Sequence, residues 1–402
     1  MLNSDQQRAL EALIDFALYS EDNEFILTGS PGTGKSFLLE HFFSELKNQQ
    51  KKMVGMGIPQ VFDDAHIVAT TNKASSIIDA SGTIHKSLFL APKTDKKTGE
   101  SYLQQYYAPC YKDVLFIIDE CSMIDEKVYK FIQKDILNMQ GNKIIYVGDK
   151  NQLPPVKSKF SIFTRGIPQV ELREFMRFDS PDIKDLIQKL RDNIGNPDKI
   201  KDIFKNLKDS EHIHRVETPN EVEAVFKKFG VSDKVLAFTK KNVENINKFF
   251  RKMYGKPEQI SKGDLVEMGS TVCTSTGRSY TGASDVVTNV ALGKVWDKIT
   301  LKNFGTFYSY VNLEKYDEEL KRLHRECYKK KNFTDVDVFT GQILKLSFGY
   351  ASTVHKAQGS TYDKVCIDIQ DICKCTEPDT MAKLFYVACS RAKKELYLYY
   401  GE

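Results

Sequence analysis

The stretch that most constrains this chain is "GSPGTGKS", Gly29 to Ser36. An apolar run, "EFILTG" (24–29), leads into it. A helix-patterned segment, "SFLLEHFFSELK" (36–47), leads out, with Leu39, Phe42, Phe43 and Leu46 near one face. A glycine-rich turn between a strand and a helix start wraps backbone N–H groups around phosphate oxygens, and the helix N-terminus adds positive potential. Gly29, Gly32 and Gly34 permit the turn, and Thr33 lies within it. Lys35 reaches the β- and γ-phosphates of a nucleotide, Ser36 offers its hydroxyl to Mg²⁺, and Phe37 completes the nucleotide-binding set. A chance glycine turn is the bland alternative, and the strand before and helix after argue against it.

Such a loop implies a parallel α/β sheet, and the rest of the chain repeats the pattern. "HIVATT" (66–71), "VLFIID" (114–119) and "KIIYVGD" (143–149) read as buried parallel strands ending in polar or glycine turns. A second set predicts a second α/β unit: "KVLAFT" (234–239), "GYAST" (349–353), "KVCIDI" (364–369) and "ELYLYY" (395–400). Two segments break the rhythm. Residues 86–110, with Lys, Gly and aromatic residues and turn signals at Pro92 and Gly99, predict an inserted hairpin. Residues 261–345, rich in Gly, Thr and Val, predict a small β-rich insertion carrying a helix in the charged stretch 314–331, and the charge run at 321–331 suits a solvated helix face more than a DNA contact.

A length of 402 residues fits two or three domains. The net charge of +4, from 58 basic and 54 acidic residues, is too mild to mark a nucleic-acid protein, so any basic binding surface is local. The opening "MLNSDQQRAL" lacks the pattern of a signal peptide, and the longest apolar runs are strand-sized. The expectation is a cytoplasmic protein with no membrane partner. The eight cysteines are then expected as reduced thiols, and the pair Cys373 and Cys375 has no second pair or histidine cluster to complete a zinc site.

"VLFIIDECSMID" delivers Asp119 and Glu120 to a strand end. The aspartate suits Mg²⁺, and the glutamate suits positioning or deprotonating a water. An Asp-Glu pair is common surface chemistry by itself, but the phosphate loop leaves Mg²⁺ needing an acidic partner. In "IIYVGDKNQLPPV" (144–156), Gln152 suits sensing a γ-phosphate, although Pro154 and Pro155 equally describe a terminated loop. The run "STVHKAQGSTYDKV" (352–365) offers hydroxyl, imidazole and amine donors for phosphate oxygens, with Gly359 permitting close approach.

Taken in order, these segments resemble superfamily 1 helicases, most closely the 1B branch of RecD-like and phage Dda-type enzymes. "LNSDQQRAL" resembles that branch's adenine-reading Q motif and carries Gln6 over. "GSPGTGKS" is similar to motif I, "IIDECSMID" to motif II, and "VGDKNQLPPV" to motif III with Gln152. "VATTNKASSII" (68–78) resembles motif Ia, which implies DNA contacts from Thr70, Thr71 and Asn72. "GTIHKSL" (82–88) follows it and places His85 in the DNA-facing set, with no acid–base role required of it. "ELREFMRF" (171–178) looks like motif IV with Arg177, and "VLAFTKKNVENIN" (235–247) like the next strand-and-helix block. "STVHKAQGSTYDKV" resembles motif V: Thr353, His355 and Lys356 toward DNA phosphates, Gln358 and Gly359 toward the nucleotide. "LFYVACSRAKKELYL" (384–398) resembles motif VI, with Arg391 as the arginine finger.

The resemblance implies an α/β fold of two RecA-like P-loop domains with parallel sheets. Domain 1A is expected at 1–85 and 111–170, and domain 2A at 171–260 and 346–402. By position, 86–110 matches the family's 1B hairpin or pin and 261–345 its 2B domain, often SH3-like. Phe89 would stack on a base at the fork, although Phe89 and Tyr102 equally suit a hairpin core. The implied function is an ATP-dependent DNA helicase using ATP and Mg²⁺. It would translocate 5′→3′ on single-stranded DNA and unwind forked or tailed duplex, with single-strand-binding or replication proteins as partners and a monomer sufficing. Lacking the N-terminal extension of larger RecD-like proteins, it resembles a compact phage-type enzyme working in host cytoplasm. A DNA-stimulated translocase or remodeller without autonomous unwinding stays open. So do a P-loop switch, against which the second unit with Arg391 speaks, and a small-molecule kinase, which lacks an evident second-substrate lid.

Overall fold

The computed structural model describes residues 2–70, 82–95, 101–155, 158, 160–176, 180–330 and 334–401. The chain divides into two compact units, Met1–Ala91 with Gln105–Lys184, and Asp185–Glu402 with Pro92–Gln104.

In chain order the first elements are α1 (Ser4–Leu18), β1 (Glu24–Gly29), α2 (Lys35–Gly55) and β2 (Asp64–Ala69). They are followed by β3 (Leu90–Thr94), β4 (Ser101–Gln105), β5 (Val114–Asp119), β6 (Lys143–Gly148) and β7 (Gln169–Leu172). β3 and β4 form a two-stranded sheet within the segment expected as a hairpin. The other five strands make one parallel sheet in the order β2-β5-β6-β1-β7. Such a sheet is covered on both faces, which is why Leu115 to Ile118 read as an unbroken apolar run and are all fully buried. Ala9, Leu13 and Phe16 of α1 share one core with Leu38, Phe42 and Leu46 of α2 and with Leu27 and Leu115 of the sheet. Each buried Leu or Phe among them contributes about 1.5–3 kcal/mol. Because every strand points the same way, their carboxyl ends meet at one edge, where ligands of open α/β sheets bind.

The expected start of the second domain at residue 171 is corrected. Leu172 pairs with Gly29 in the first sheet, and the first unit runs on to Lys184. The segment likened to motif IV therefore begins inside the first unit. Its strand, "QVEL", buries only Val170 and Leu172 at the sheet edge, so no apolar run announced it.

The second unit holds two sheets. Its strands are β8 (Ile213–Val216), β9 (Lys234–Ala237), β10 (Leu265–Met268), β11 (Ser284–Ala291) and β12 (Asp297–Leu301). Then come β13 (Gly305–Ser309), β14 (Leu346–Phe348), β15 (Ala351–Thr353), β16 (Tyr362–Asp368) and β17 (Ala392–Tyr399). Strands β15-β9-β16-β17-β8 are parallel throughout, and β13-β12-β11-β10-β14 are antiparallel. The antiparallel sheet has its own core of Val266, Met268, Val287, Ile299, Leu301 and Phe307. The charged run lies on the helix Leu313–Lys330, where Arg322 pairs with Glu319 and Glu326.

A buried ion pair roots the insertion. Arg251, on the helix Lys240–Met253, meets Asp264 at 2.7 Å, and both side chains are buried. The guanidinium also donates to Gln259 O at 2.7 Å and lies 3.8 Å over the Phe348 ring. Asp264→Ala strands that charge in the core and is expected to cost about 3–5 kcal/mol. Urea denaturation checks this, and the double change Arg251→Met with Asp264→Leu recovers most of the loss.

Candidate nucleotide site and nucleic-acid edge

The phosphate loop joins β1 to α2. Gly32 and Gly34 have φ of 84° and 83°, in the left-handed region that favours glycine. A β-carbon at Gly34 would lie 2.5 Å from the Gln6 amide nitrogen, so the loop and α1 leave no room for one. Gly34 is also the N-cap of α2 and has no side chain to cap it, which leaves first-turn N–H groups for an external acceptor. The Lys35 ammonium donates to Gly29 O at 2.6 Å and Ser30 O at 3.2 Å. Ser36 and Phe37 are exposed on the first turn. Gln6 is buried: its Nε2 donates to Thr33 O at 3.4 Å and its Oε1 accepts from Asn3 N–H at 3.2 Å. The Q-motif glutamine thus forms part of the loop's wall as well as the cap of α1.

β5 ends on Asp119. Burial raises the Asp119 carboxyl above its ordinary value, while the Glu120 N–H, donating at 2.9 Å, and the Lys35 charge pull it back down. Glu120 has φ of 53°, a left-handed conformation costing about 1–3 kcal/mol in a non-glycine residue, and it opens the short turn Cys121–Met123. Thr70 fastens to the same corner. Its N–H donates to Asp119 O at 3.2 Å and its hydroxyl to Glu120 O at 3.0 Å. After β6, Gln152 is buried in a turn where its own N–H donates to Asp149 O and Asn151 N–H to the Asp149 carboxylate. Gln152 Oε1 is buried and has no hydrogen-bond partner among the described residues. Ser36 and Asp119 present the hard oxygen donors that suit Mg²⁺, which takes one or two such protein ligands and fills its shell with phosphate oxygens and water.

In the second unit the edge is built by β9, β15 and β16. Thr353 ends β15, and its hydroxyl accepts from Lys356 N–H at 3.4 Å. His355 is half-buried near Phe238, and burial lowers its pKa, favouring the neutral ring. The Lys356 ammonium pairs with Glu267 at 2.8 Å. Gln358 and Gly359 (φ 69°) close the turn. Arg391 is buried, donating to Val387 O at 3.1 Å, Ser360 O at 3.2 Å and the Ser390 hydroxyl at 2.8 Å.

The family model described as an AAA domain matches residues 1–218, more than half of the chain, and that of the UvrD-like helicase C-terminal domain matches 348–399. The chain is 24% identical over 465 residues to the ATP-dependent DNA helicase dda of Enterobacteria phage T4, covering 98% of each chain. It belongs to the superfamily 1B helicases. It is also 23% identical over 424 residues to the ATP-dependent DNA helicase Pif1 of Campylobacter jejuni, covering 92% of this chain and 87% of the other. The helicase shares its fold with the solved Pif1 helicase from Bacteroides in complex with ADP-AlF3 and ssDNA. The TM-score is 0.57 at 18% identity, over 99% of this chain and 92% of that one. Its two parallel sheets are those of two RecA-like domains, and β3–β4 and the antiparallel sheet are its insertions.

Arg177, Thr71 and Asn72 lie outside the described residues of the helicase. His85 sits half-buried on the helix Ile84–Ser87, where burial lowers its pKa against the opposing charge of Asp125. Phe89, at φ 52°, is 45% exposed and packs edge-on against the exposed Tyr107, with ring centroids 5.2 Å apart. Tyr102 is 43% exposed. Neither Phe89 nor Tyr102 fills a hairpin core. Two anchors of the second edge escaped the motif reading. Asp371 accepts from Phe238 N–H at 2.8 Å, Thr239 N–H at 2.7 Å and the Thr239 hydroxyl at 2.9 Å, fixing the loop after β9. Glu267 comes from β10. A legible signal existed for Asp371, since Asp368 and Asp371 are spaced as a helix cap, with Asp371 N–H donating to Asp368 Oδ1.

Proposed function

We propose that this helicase hydrolyses ATP, translocates 5′→3′ along single-stranded DNA and separates duplex at a fork. The reading rests above all on Thr70, whose two hydrogen bonds tie the segment likened to motif Ia to the backbone of Asp119 and Glu120. A strand-gripping segment wired to the hydrolytic carboxylates couples DNA occupancy to turnover.

In this scheme Lys35 and the first-turn N–H groups of α2 bind the phosphates. Ser36 and Asp119 would hold Mg²⁺, and when bound it would supply neutralisation of the phosphate charge. Glu120 orients the attacking water and accepts its proton, and Gln152 Oε1 suits an O–H from the same water. Gln6 and Phe37 flank the nucleotide. Arg391 and Arg177, with Gln358 and Gly359, complete the γ-phosphate surroundings as nucleotide closes the RecA-like pair, a step argued from the family resemblance. Thr70, Thr71, Asn72, His85, Thr353, His355 and Lys356 contact the strand mainly through phosphate, so sequence preference is slight. Phe89 and Tyr107 present exposed faces on which a base can stack for about 1–3 kcal/mol. A single copy suffices. Among the described residues no helix is long and apolar enough to cross a membrane, and the proposed site of work is DNA in the cytoplasm.

Two measurements test the proposal. ATP turnover is expected to rise steeply with single-stranded DNA; no stimulation overturns the motor. Of two partial duplexes, the 5′-tailed one is expected to be unwound and the 3′-tailed one spared. The reverse overturns the polarity. Stimulated hydrolysis with neither unwound favours a remodeller.

A further inference from the structure

The Lys356–Glu267 pair joins the turn after β15 to the inserted antiparallel sheet. Glu267 is the third residue of β10, whose register sets it against Ser347 of β14 and Ser284 of β11. Its backbone is therefore held from both sides. Its side chain is only 6% exposed, whereas that of Lys356 is 51% exposed, and they meet at 2.8 Å. The two segments are also one continuous strip. β14 passes through Gly349 directly into β15, and Gly349 N–H donates to Leu265 O at 2.9 Å. A β-carbon at Gly349 would lie 3.4 Å from Glu267 N and 3.2 Å from Val266 C, so the strip hugs β10 closely. The buried lysine Lys234 donates to Gly349 O from the parallel sheet and pins the crossing point.

A carboxylate buried to this degree is costly without a cation, and Lys356 supplies one. The same ammonium stands half in solvent, at the turn proposed to meet DNA phosphate. A carboxylate and a phosphate diester are anions competing for one cation.

We infer that Glu267 is an internal stand-in for DNA phosphate, a positioning residue that holds the Lys356 ammonium in the DNA-free enzyme and releases it when a phosphate arrives. This rests on the reading of Lys356 as a phosphate contact. While paired, the two charges cancel and the turn attracts DNA weakly. Once a phosphate takes Lys356, Glu267 is left as a buried anion inside β10, so DNA occupancy is felt by the inserted sheet. The inserted domain thereby tunes the grip of the parallel sheet that carries it.

The test is fluorescence anisotropy of a labelled oligo-dT against the full chain, without nucleotide, over a range of salt concentrations. Glu267→Gln keeps the shape and removes the competing charge. It is expected to tighten binding about three- to tenfold at low salt and to steepen the log–log salt slope by up to about 0.7, because no freed carboxylate takes up a cation to offset the one released from the contacted phosphate. Glu267→Leu, an apolar filler, is expected to move both quantities the same way and guards against a fault peculiar to the glutamine. Lys356→Gln is expected to weaken binding, and in that background Glu267→Gln changes nothing. If Lys356→Gln weakens binding while both Glu267 variants leave it unchanged or weaken it too, the exchange is overturned and the pair is a structural tie. If Lys356→Gln leaves binding unchanged, the reading of Lys356 itself falls, and the inference falls with it.

Discussion

Lys35→Ala is expected to lower ATP turnover by about 10²- to 10³-fold, the scale on which loss of one preorganised donor acts. The side chain donates to two backbone carbonyls, Gly29 O and Ser30 O. Gly29 and Ser30 are themselves buried, so the variant is expected to lose some stability while keeping the first-turn N–H groups that grip phosphate. Turnover falls much further than nucleotide affinity. There is a second readout. Lys35 is one of the influences drawing the Asp119 carboxyl down against burial. Asp119 has a raised pKa in the fold, so folding is favoured when it is protonated and disfavoured as pH climbs through its folded value. Removing Lys35 raises that value further. The melting temperature of the variant should therefore match wild type best at acid pH and fall progressively below it toward neutrality. Thermal melts at several pH values and steady-state ATPase assays check both claims. Retained turnover would sink the nucleotide-site assignment.

The phosphate loop and the acidic strand end were legible because their chemistry is local in sequence. So were the central strands: buried on both faces, they carry no polar alternation, as in the fully buried run Leu115–Ile118. One edge strand of each sheet was not. β7 and β8 are four residues long and half-buried, so "QVEL" and "IHRV" show no run of apolar residues. This is also why the first unit was expected to end too early. The contacts that wire the site together are long-range. Thr70 reaches Glu120 across 50 positions, Lys356 reaches Glu267 across 89, and Thr239 reaches Asp371 across 132. No spacing rule reports such pairs. Glu120 is a different case. Its left-handed backbone opens a turn packed closely on β6, where a β-carbon at Gly148 would stand 2.7 Å from Cys121 Sγ.

Arg391→Gln is expected to cut kcat by about 10³- to 10⁵-fold while ATP affinity changes little, the mark of a cation that acts on the transition state. The structure makes this a demanding test, because Arg391 is 3% exposed and its guanidinium already donates to Val387 O, Ser360 O and the Ser390 hydroxyl. Such a fork can serve as an anchor for the end of the helix Pro378–Cys389. It can equally be a charge held in one orientation by carbonyls, ready for a phosphate. The two roles separate in measurement. An anchor lost gives a lower melting temperature, with turnover per folded molecule preserved below the transition. A finger lost gives folded protein that binds ATP and fails to hydrolyse it. Arg391→Lys sharpens the contrast, since it keeps the charge but not the planar fork, and a finger position is expected to tolerate it poorly. Partial recovery of Arg391→Ala turnover by added guanidinium, with no change in melting temperature, would place the charge at the reacting phosphate. Preserved turnover in folded Arg391→Gln would assign the residue to architecture alone.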